Sequence, residues 1–176
     1  MSIRDFDGHT PRIDASAFVD ETALVIGDVE IGADSSLWPM VVARGDIHRI
    51  RIGARSNIQD GSVIHVTHDS DHVPGGHPVV IGDGVTVGHQ VTLHGCTIED
   101  DCLIGMGSLV LDGARIERGT LLGAGSLVSP GKVLEGGYLW LGRPAKRIRP
   151  LTAEERGYLG YSADHYVRLK ERHRRG

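Results

Sequence analysis

A six-residue spacing of aliphatic or small residues runs through most of this chain and restricts its fold more than any other feature. Glycine often follows the spaced residue, as in Ile31-Gly32 and Ile52-Gly53. Three six-residue units close a triangular coil of about 18 residues, with the spaced side chains pointing inward. The pattern therefore predicts a parallel β-helix. Its inward positions are Ile13, Val19, Val25, Ile31, Leu37, Ala43, Ile52, Ile58, Ile64, Ile81, Val87, Leu93, Ile98, Ile104, Val110, Ile116, Leu122, Val128 and Leu134.

The alternative, an ordinary β-sandwich, is disfavoured by the regularity of this spacing. Strands of a sandwich recur at varied intervals of about 8–12 residues and are separated by polar turns. Composition agrees with the β-helix, because glycine makes up 25 of 176 residues and aromatic residues only 5%. A core made of small and branched side chains follows.

The repeat stops after Leu134, and the chain changes character. We expect a β-helical domain over residues 1–140 and, over 141–176, an extended segment followed by an α-helix that packs on the prism. Thr152 and Glu155 have the spacing of a capping box at the helix start. Arginine and lysine accumulate toward the helix end, where the helix dipole favours them, and we interpret this tail as solvated.

Charge and hydropathy exclude several classes of partner. The formal net charge is −4, whereas a protein that binds nucleic acid is typically basic. No segment approaches the roughly 20 apolar residues of a membrane span, and the N-terminus lacks a signal-peptide pattern. Cys96 and Cys102 are too few for a disulfide framework. We expect a cytoplasmic protein with no membrane or nucleic-acid partner.

Two breaks in the repeat, over residues 43–52 and 64–81, carry extra polar residues. If each break is one side of the prism with an excursion, Arg44, His65 and His94 follow inward residues of the same face on successive coils. They then stack outward in one column, about 4.8 Å apart. Tetrahedral zinc ligands with Zn–N bonds of about 2.0–2.1 Å lie about 3.3 Å apart. His65 and His94 are therefore a plausible pair of metal ligands.

His89 belongs to the preceding face of the same count, where Asp60 is its equivalent one coil earlier and Gln59 lies alongside. One prism turns this face away from His65 and His94. A third ligand from His89 must then come from a neighbouring subunit, and three such contacts close a cyclic homotrimer. The alternative is that these histidines are unrelated surface residues.

Several motifs in order resemble the γ-class carbonic anhydrases and their homologues. They are "RGD" at 44–46, "NIQD" at 57–60, "SVIH" at 62–65 and "GHQVTLHGC" at 88–96. The resemblance extends over nearly the whole chain and is greatest to the bacterial branch that includes homologues associated with carnitine and phenylacetate metabolism. It implies an all-β, left-handed parallel β-helix with a C-terminal helix, assembled as a trimer.

The resemblance also implies roles for individual residues. His65, His94 and His89 correspond to the ligands of a zinc or ferrous ion, with Co²⁺ another possible metal. Arg44, Asp46 and Asp60 correspond to an ion-pair set across the interface. Gln59 corresponds to the residue that orients the metal-bound solvent, and Asn57 to a polar position behind it. The implied reaction is reversible hydration of CO₂ to bicarbonate by metal-bound hydroxide.

The chain departs from the best-known pattern at two positions where that pattern has glutamates for proton export. Ile47 and His68 occupy them here. His68 is a substitute candidate, because histidine changes charge between pH 5 and 8. Tyr161, in the helical tail, either reaches the site or packs the helix on the prism.

Three classes of function stay open. The first is a metal-dependent lyase acting on CO₂ and bicarbonate. Another is acyl-transfer or CoA-thioester chemistry, since hexapeptide-repeat proteins include many acyltransferases, although these generally lack a histidine trio for a metal. The last is a metal-stabilised trimeric scaffold with low activity.

Overall fold

The computed structural model describes residues 2–175 as a stack of parallel β-coils followed by one helix. Met1 and Gly176, the outer ends of the two expected domains, lie outside the described residues, and the division at residue 140 stays a prediction. The elements are β1 (Ser2–Arg4), β2 (Arg12–Ile13), β3 (Phe18–Val19), β4 (Leu24–Ile31), β5 (Ser36–Leu37), β6 (Val42–Ile52), β7 (Asn57–Ile58), β8 (Val63–His65), β9 (Val79–Ile81), β10 (Thr86–Val87), β11 (Thr92–His94), β12 (Thr97–Ile98), β13 (Leu103–Ile104), β14 (Leu109–Val110), β15 (Arg115–Ile116), β16 (Leu121–Leu122), β17 (Leu127–Val128), β18 (Val133–Leu134), β19 (Tyr138–Leu141), β20 (Lys146–Pro150) and α1 (Ala153–Arg175).

The coils have three flat faces. The histidine face consists of the first parts of β4 and β6 with β8, β11, β14 and β17. The helix face consists of β3, β5, β7, β10, β13, β16 and β19. The charged face consists of β2, the second parts of β4 and β6, and β9, β12, β15 and β18. The predicted β-helix is confirmed.

The core is the predicted column of inward residues. On the histidine face, Ala43, Ile64 and Leu93 are aligned in register and fully buried. Burial of such aliphatic side chains supplies most of the stabilisation in a fold of this kind. All the inward positions predicted from Val25 to Leu134 are buried, whereas Ile13 and Val19 in the first coil are partly exposed.

Glycine after the inward residue has a steric cause. At the corner that follows the charged face, Gly32, Gly53 and Gly82 stack on successive coils. A Cβ added to Gly53 would lie 2.6 Å from the Gly82 carbonyl carbon, closer than a side chain tolerates. Only glycine lets the backbones of adjacent coils approach this closely.

Both breaks in the repeat are one side of the prism with additional residues, as predicted. Ala43 aligns with Ile64, and Ile52 with Ile81. The first set of extra residues forms no separate loop, because β6 runs continuously around the corner with a register shift against β4. The second forms a loop over residues 66–78, closed by a backbone pairing between Thr67 and His77.

The C-terminal segment covers the helix face. β20 pairs antiparallel with β19, and the side chains of Ser162 and Thr86 are hydrogen-bonded at 3.0 Å. The capping box is confirmed: Thr152 Oγ1 accepts from Glu155 N at 3.1 Å, and Glu155 Oε2 accepts from Thr152 N at 2.8 Å. Among the described residues, no helix is both long and apolar enough to cross a membrane.

The prediction that the basic tail is solvated is wrong for Lys170. Its side chain is fully buried. The ammonium group donates to Ser16 O at 2.9 Å and lies 3.0 Å from an Asp34 carboxylate oxygen. A lysine can bury its methylene stem when its charged end finds such partners, and here it ties the helix end to the first coils.

Candidate metal site

The column predicted on the histidine face is present. Arg44, His65 and His94 are aligned in register on β6, β8 and β11. Outward side chains at equivalent strand positions point the same way, so the two imidazoles meet. His65 Nδ1 lies 3.1 Å from His94 Nε2.

A carboxylate holds the other nitrogen of His65. Asp46 Oδ1 lies 3.1 Å from His65 Nε2, and Asp46 Oδ2 accepts from Arg44 Nη1 at 2.5 Å. Burial opposes ionisation of Asp46, but these hydrogen bonds outweigh it and keep the pKa of Asp46 below its ordinary value. Burial lowers the pKa of His65, partly opposed by Asp46. His65 is therefore biased toward the neutral form that binds metals.

His94 is held in the same way by a residue that the sequence reasoning missed. His94 Nδ1 lies 2.5 Å from Asp112 Oδ1, and Asp112 Oδ2 accepts from Thr67 Oγ1 at 2.8 Å. Despite burial, which acts in the opposite direction, the hydrogen bond to His94 lowers the pKa of Asp112. The spacing gave no direct signal, because Leu93 aligns with Val110, so the equivalent of Asp112 one coil earlier is Gly95 and only the side chain reaches His94.

These contacts decide which nitrogens remain for a ligand. A neutral imidazole has one N–H, and in both rings a carboxylate is the acceptor placed to take it. The facing nitrogens, His65 Nδ1 and His94 Nε2, then both present lone pairs. The two nitrogens lie 3.1 Å apart, so their facing lone pairs repel each other unless a cation lies between them. The donor pair therefore fits a metal ion that prefers imidazole, such as Zn²⁺.

His89 lies in the turn that follows β10, at the corner between the helix face and the histidine face and outside the column of His65 and His94, as the side count predicted. Its Nδ1 is 2.9 Å from Asp60 Oδ2, which leaves Nε2 as the free nitrogen. Of the ion-pair set expected at the subunit interface, Asp60 contacts His89 and Arg44 pairs with Asp46 within this chain. Among residues 2–175, no group of three or more histidine, cysteine or acidic side chains is arranged to hold a metal.

The two amide residues are buried on the coil next to that of His89. Asn57 Nδ2 donates to Thr86 Oγ1 at 3.0 Å, and Gln59 Nε2 donates to Asn57 Oδ1 at 3.1 Å. This chain of hydrogen bonds fixes the amide of Gln59 so that its Oε1 can accept a hydrogen bond from solvent.

His68 lies in the loop over 66–78 and Tyr161 lies on α1, so neither is on the strands that carry the paired histidines. His68 is exposed and lines a cavity of about 490 Å³ together with Asp46, Ile47 and His48. Tyr161 is 57% exposed, and its ring stacks on His165. The idea that Tyr161 packs the helix on the prism is therefore wrong.

Tyr166 does the packing instead. Its ring lies edge-on to Trp38 at a centroid distance of 5.6 Å, and burial raises the pKa of its hydroxyl. The helix places Tyr161 and Tyr166 on different sides, because five residues correspond to about 500° of rotation.

Comparison with known proteins agrees with this architecture. The family described as bacterial transferase hexapeptide (six repeats) matches residues 95–130. The chain also resembles a solved hexapeptide transferase family protein from Anaplasma phagocytophilum, with a TM-score of 0.89 and 42% identity over 97% of this chain and 96% of that one.

Three curated relatives cover most of the chain. Protein YrdA of Escherichia coli (strain K12) is 54% identical over 96% of this chain and 92% of its own length. Carbonic anhydrase of Geobacillus kaustophilus is 50% identical over 87% of this chain and 80% of its own length. Carnitine operon protein CaiE of E. coli (strain SMS-3-5) is 35% identical over 88% and 76%. The relationship predicted from the motifs is confirmed: the chain belongs to the γ-carbonic anhydrase-like family of hexapeptide-repeat proteins.

Proposed function

We propose that this protein is a metal-dependent carbonic anhydrase that interconverts CO₂ and bicarbonate. The observation that carries the proposal is the pair of facing ring nitrogens, His65 Nδ1 and His94 Nε2, whose opposite nitrogens are held by Asp46 and Asp112. His89 Nε2 of a neighbouring subunit completes the ligand set. The metal is Zn²⁺, with Fe²⁺ or Co²⁺ as substitutes that imidazole ligands also accept.

When bound by three neutral imidazoles, a zinc ion lowers the pKa of a coordinated water to about 7. The chain supplies the remaining functions. Burial and carboxylate contacts keep the histidines neutral and oriented. Gln59, fixed by Asn57, orients the attacking solvent through its Oε1. Arg44, paired with Asp46, stabilises the subunit contact and assists in placing bicarbonate.

The shared site requires more than one subunit, and we propose a homotrimer formed through the histidine face. A column of mainly apolar residues points outward on this face, beside the histidines. The helix face is covered by α1, and the charged face carries Glu30, Arg51 and Arg115 at its outward positions. An uncovered apolar face next to incomplete ligands fits a second copy of the chain. The column consists of Leu24, Val42, Val63, Thr92, Leu109 and Leu127.

We further propose that His68 exports the proton released in each cycle. The support is that His68 is exposed and lines the same cavity as Asp46, the residue that contacts His65. Tyr161 stays a weaker candidate that only a subunit interface could bring to the site.

The test combines metal analysis with stopped-flow measurement of CO₂ hydration. We expect the purified protein to contain metal and to hydrate CO₂, and His94→Ala to lose both. The control His72→Ala changes an exposed histidine in the loop over 66–78 and should retain both. A metal-loaded wild type without hydration activity would exclude the lyase.

The similarity to a hexapeptide transferase family structure makes acyl chemistry the second candidate. Release of free CoA from acetyl-CoA, followed with a thiol reagent, tests for thioester hydrolysis in water alone and for acyl transfer when an amine or alcohol acceptor of the acetyl group is added. CoA release that requires His94, without CO₂ hydration, would support a metal-dependent thioester hydrolase. Absence of both activities would leave the metal-stabilised scaffold.

A further inference from the structure

Asp112 occupies a position that the family resemblance leaves without a role. It lies in the turn after β14, one coil beyond His94. Its two carboxylate oxygens have different partners: Oδ1 contacts His94 Nδ1 at 2.5 Å, and Oδ2 accepts from Thr67 Oγ1 at 2.8 Å. Both oxygens are thus directed by specific side chains.

The corner is shaped to admit this carboxylate. Gly95 directly follows His94 and has a positive φ of 53°. A Cβ on Gly95 would lie 2.5 Å from Asp112 Oδ1, so a larger residue would displace the carboxylate from the imidazole. Gly95 therefore serves both the turn and the contact between Asp112 and His94.

We propose that Asp112 is the positioning residue that sets the tautomer and ring orientation of His94, and that Thr67 positions Asp112. This inference rests on the proposed function, because it concerns a ligand of the proposed metal. An ionised carboxylate at Nδ1 requires the proton there and directs the Nε2 lone pair toward His65 Nδ1. Carboxylates that bind ligand histidines in this way typically change metal affinity by about 10- to 100-fold.

Thr67 gives the inserted loop a place in the same arrangement. It is the second residue after β8, and its backbone pairs with His77 at the other end of the loop. Its hydroxyl prevents the Asp112 carboxylate from rotating away from His94. The loop over 66–78 thus supports His94, a ligand on the neighbouring strand, through the contact of Thr67 with Asp112.

The first experiment needs no metal. In metal-free protein above neutral pH, ¹⁵N NMR of the histidine rings reports which nitrogen carries the proton. We expect His94 to be the Nδ1–H tautomer in the wild type and a mixture of tautomers in Asp112→Leu. Asp101→Asn, which changes an exposed carboxylate paired with Arg118, is the matched control and should leave the His94 signals unchanged. An unchanged Nδ1–H tautomer in Asp112→Leu would overturn the proposal.

The second experiment titrates the metal-free protein with Co²⁺ and follows visible absorption. We expect Asp112→Asn to bind about 10- to 100-fold more weakly, with an altered absorption spectrum. Thr67→Val should weaken Co²⁺ binding to a smaller extent. Thr67→Ser should bind Co²⁺ as the wild type does, because the hydroxyl is retained. Wild-type affinity in both Asp112→Asn and Thr67→Val would contradict the positioning role.

The two proposals fail in different ways. If the wild type binds no Co²⁺ but His94 has the predicted tautomer, the proposed metal site is wrong, whereas the role of Asp112 in orienting His94 is supported. A purely structural Asp112 would lower the thermal midpoint of the metal-free variant without affecting tautomer or affinity. Should Asp112 variants not fold, the Thr67→Val and Thr67→Ser pair decides the question.

Discussion

Each of the three candidate ligands contacts its own carboxylate. His65 contacts Asp46, His89 contacts Asp60, and His94 contacts Asp112. Such a contact takes up the proton-bearing nitrogen and leaves a lone pair on the other one. All three histidines of the predicted ligand set have such a carboxylate partner, which unrelated surface histidines would not share. The arrangement therefore favours ligation at the level of single side chains.

The proposed sharing of the site can be tested at His89. We expect His89→Ala to lower zinc affinity by more than about 100-fold, because a ligand is lost rather than a supporting contact. Zinc content after dialysis measures this, with His72→Ala as control. Retention of one ion per chain in His89→Ala would contradict the shared site.

Mixing variants makes the same prediction more specific. His89→Ala and His65→Ala chains each lack a ligand, so neither forms a complete site alone. When they are co-expressed, one interface of a mixed trimer combines an intact His65 and His94 with an intact His89. Partial recovery of zinc binding is expected, whereas a site within one subunit could not recover.

The proton-export role of His68 makes a kinetic prediction. Hydration should increase as pH rises through the range in which histidine loses its proton, and it should depend on buffer concentration. We expect His68→Ala to lower the maximal rate on the order of 100-fold with unchanged metal content, and added imidazole to restore part of it. Equal rates in the variant and wild type at low buffer would show that His68 is only a loop residue.

The C-terminal helix depends on a few polar contacts at its two ends. Lys170 ties the last turns to the first coils, and the capping box with Arg149 holds the first turn. The intervening turns pack through Leu159, Ala163 and Tyr166. We therefore expect the helix to detach locally before the β-coils unfold.

Acidification should show this. Hydrogen bonds from Arg149, and then from Thr152, lower the pKa of Glu155 from its ordinary value of 4.5 to about 2. Because the pKa is depressed in the folded state, the contribution of Glu155 is complete above pH 4.5 and is lost as pH falls toward 2. We expect the thermal midpoint of Glu155→Gln to be lower than that of the wild type at neutral pH, and this difference to shrink across that window.

The measurement is the helical circular dichroism signal at each pH. Glu154→Gln, one residue earlier on the same helix turn, is the matched control and should follow the wild type. A difference between Glu155→Gln and the wild type that stays constant from pH 5 to pH 2 would contradict the role assigned to the carboxylate.

At the level of the whole molecule, the three faces have different surroundings: one covered by the helix, one charged and one apolar. We expect Val63→Asp, on the apolar column and 39% exposed, to dissociate the proposed trimer into folded monomers. Val133→Asp, outward on the charged face and 49% exposed, is the matched control and should remain trimeric. Sedimentation velocity gives the mass, and unaltered assembly in Val63→Asp would exclude this face as the interface.

Chelation should separate assembly from folding. The aliphatic core lies inside each prism and does not involve the proposed ligands, whereas the proposed site joins two subunits. We expect removal of metal with EDTA to shift the proposed trimer toward monomers while the β-sheet circular dichroism is retained. Loss of that signal in step with the metal would contradict this prediction.

The coil, its inward residues and the pairing of His65 with His94 were predictable from the sequence. A six-residue spacing is a local property, and counting sides converts it directly into register, because each coil repeats the same geometry. The capping box was equally local, since Thr152 and Glu155 are three residues apart. The position of His89 outside the column of His65 and His94 followed from the same count.

Contacts between coils that depend on side-chain rotamers were not predictable. Asp112 reaches His94 through a corner in which Gly95 leaves room, and the burial of Lys170 depends on where the helix end meets residues of the first coils. The sides of the helix taken by Tyr161 and Tyr166 were likewise decided by its docking against Trp38. Spacing along the chain specifies which strand carries a residue, but packing in three dimensions determines which neighbour its side chain meets.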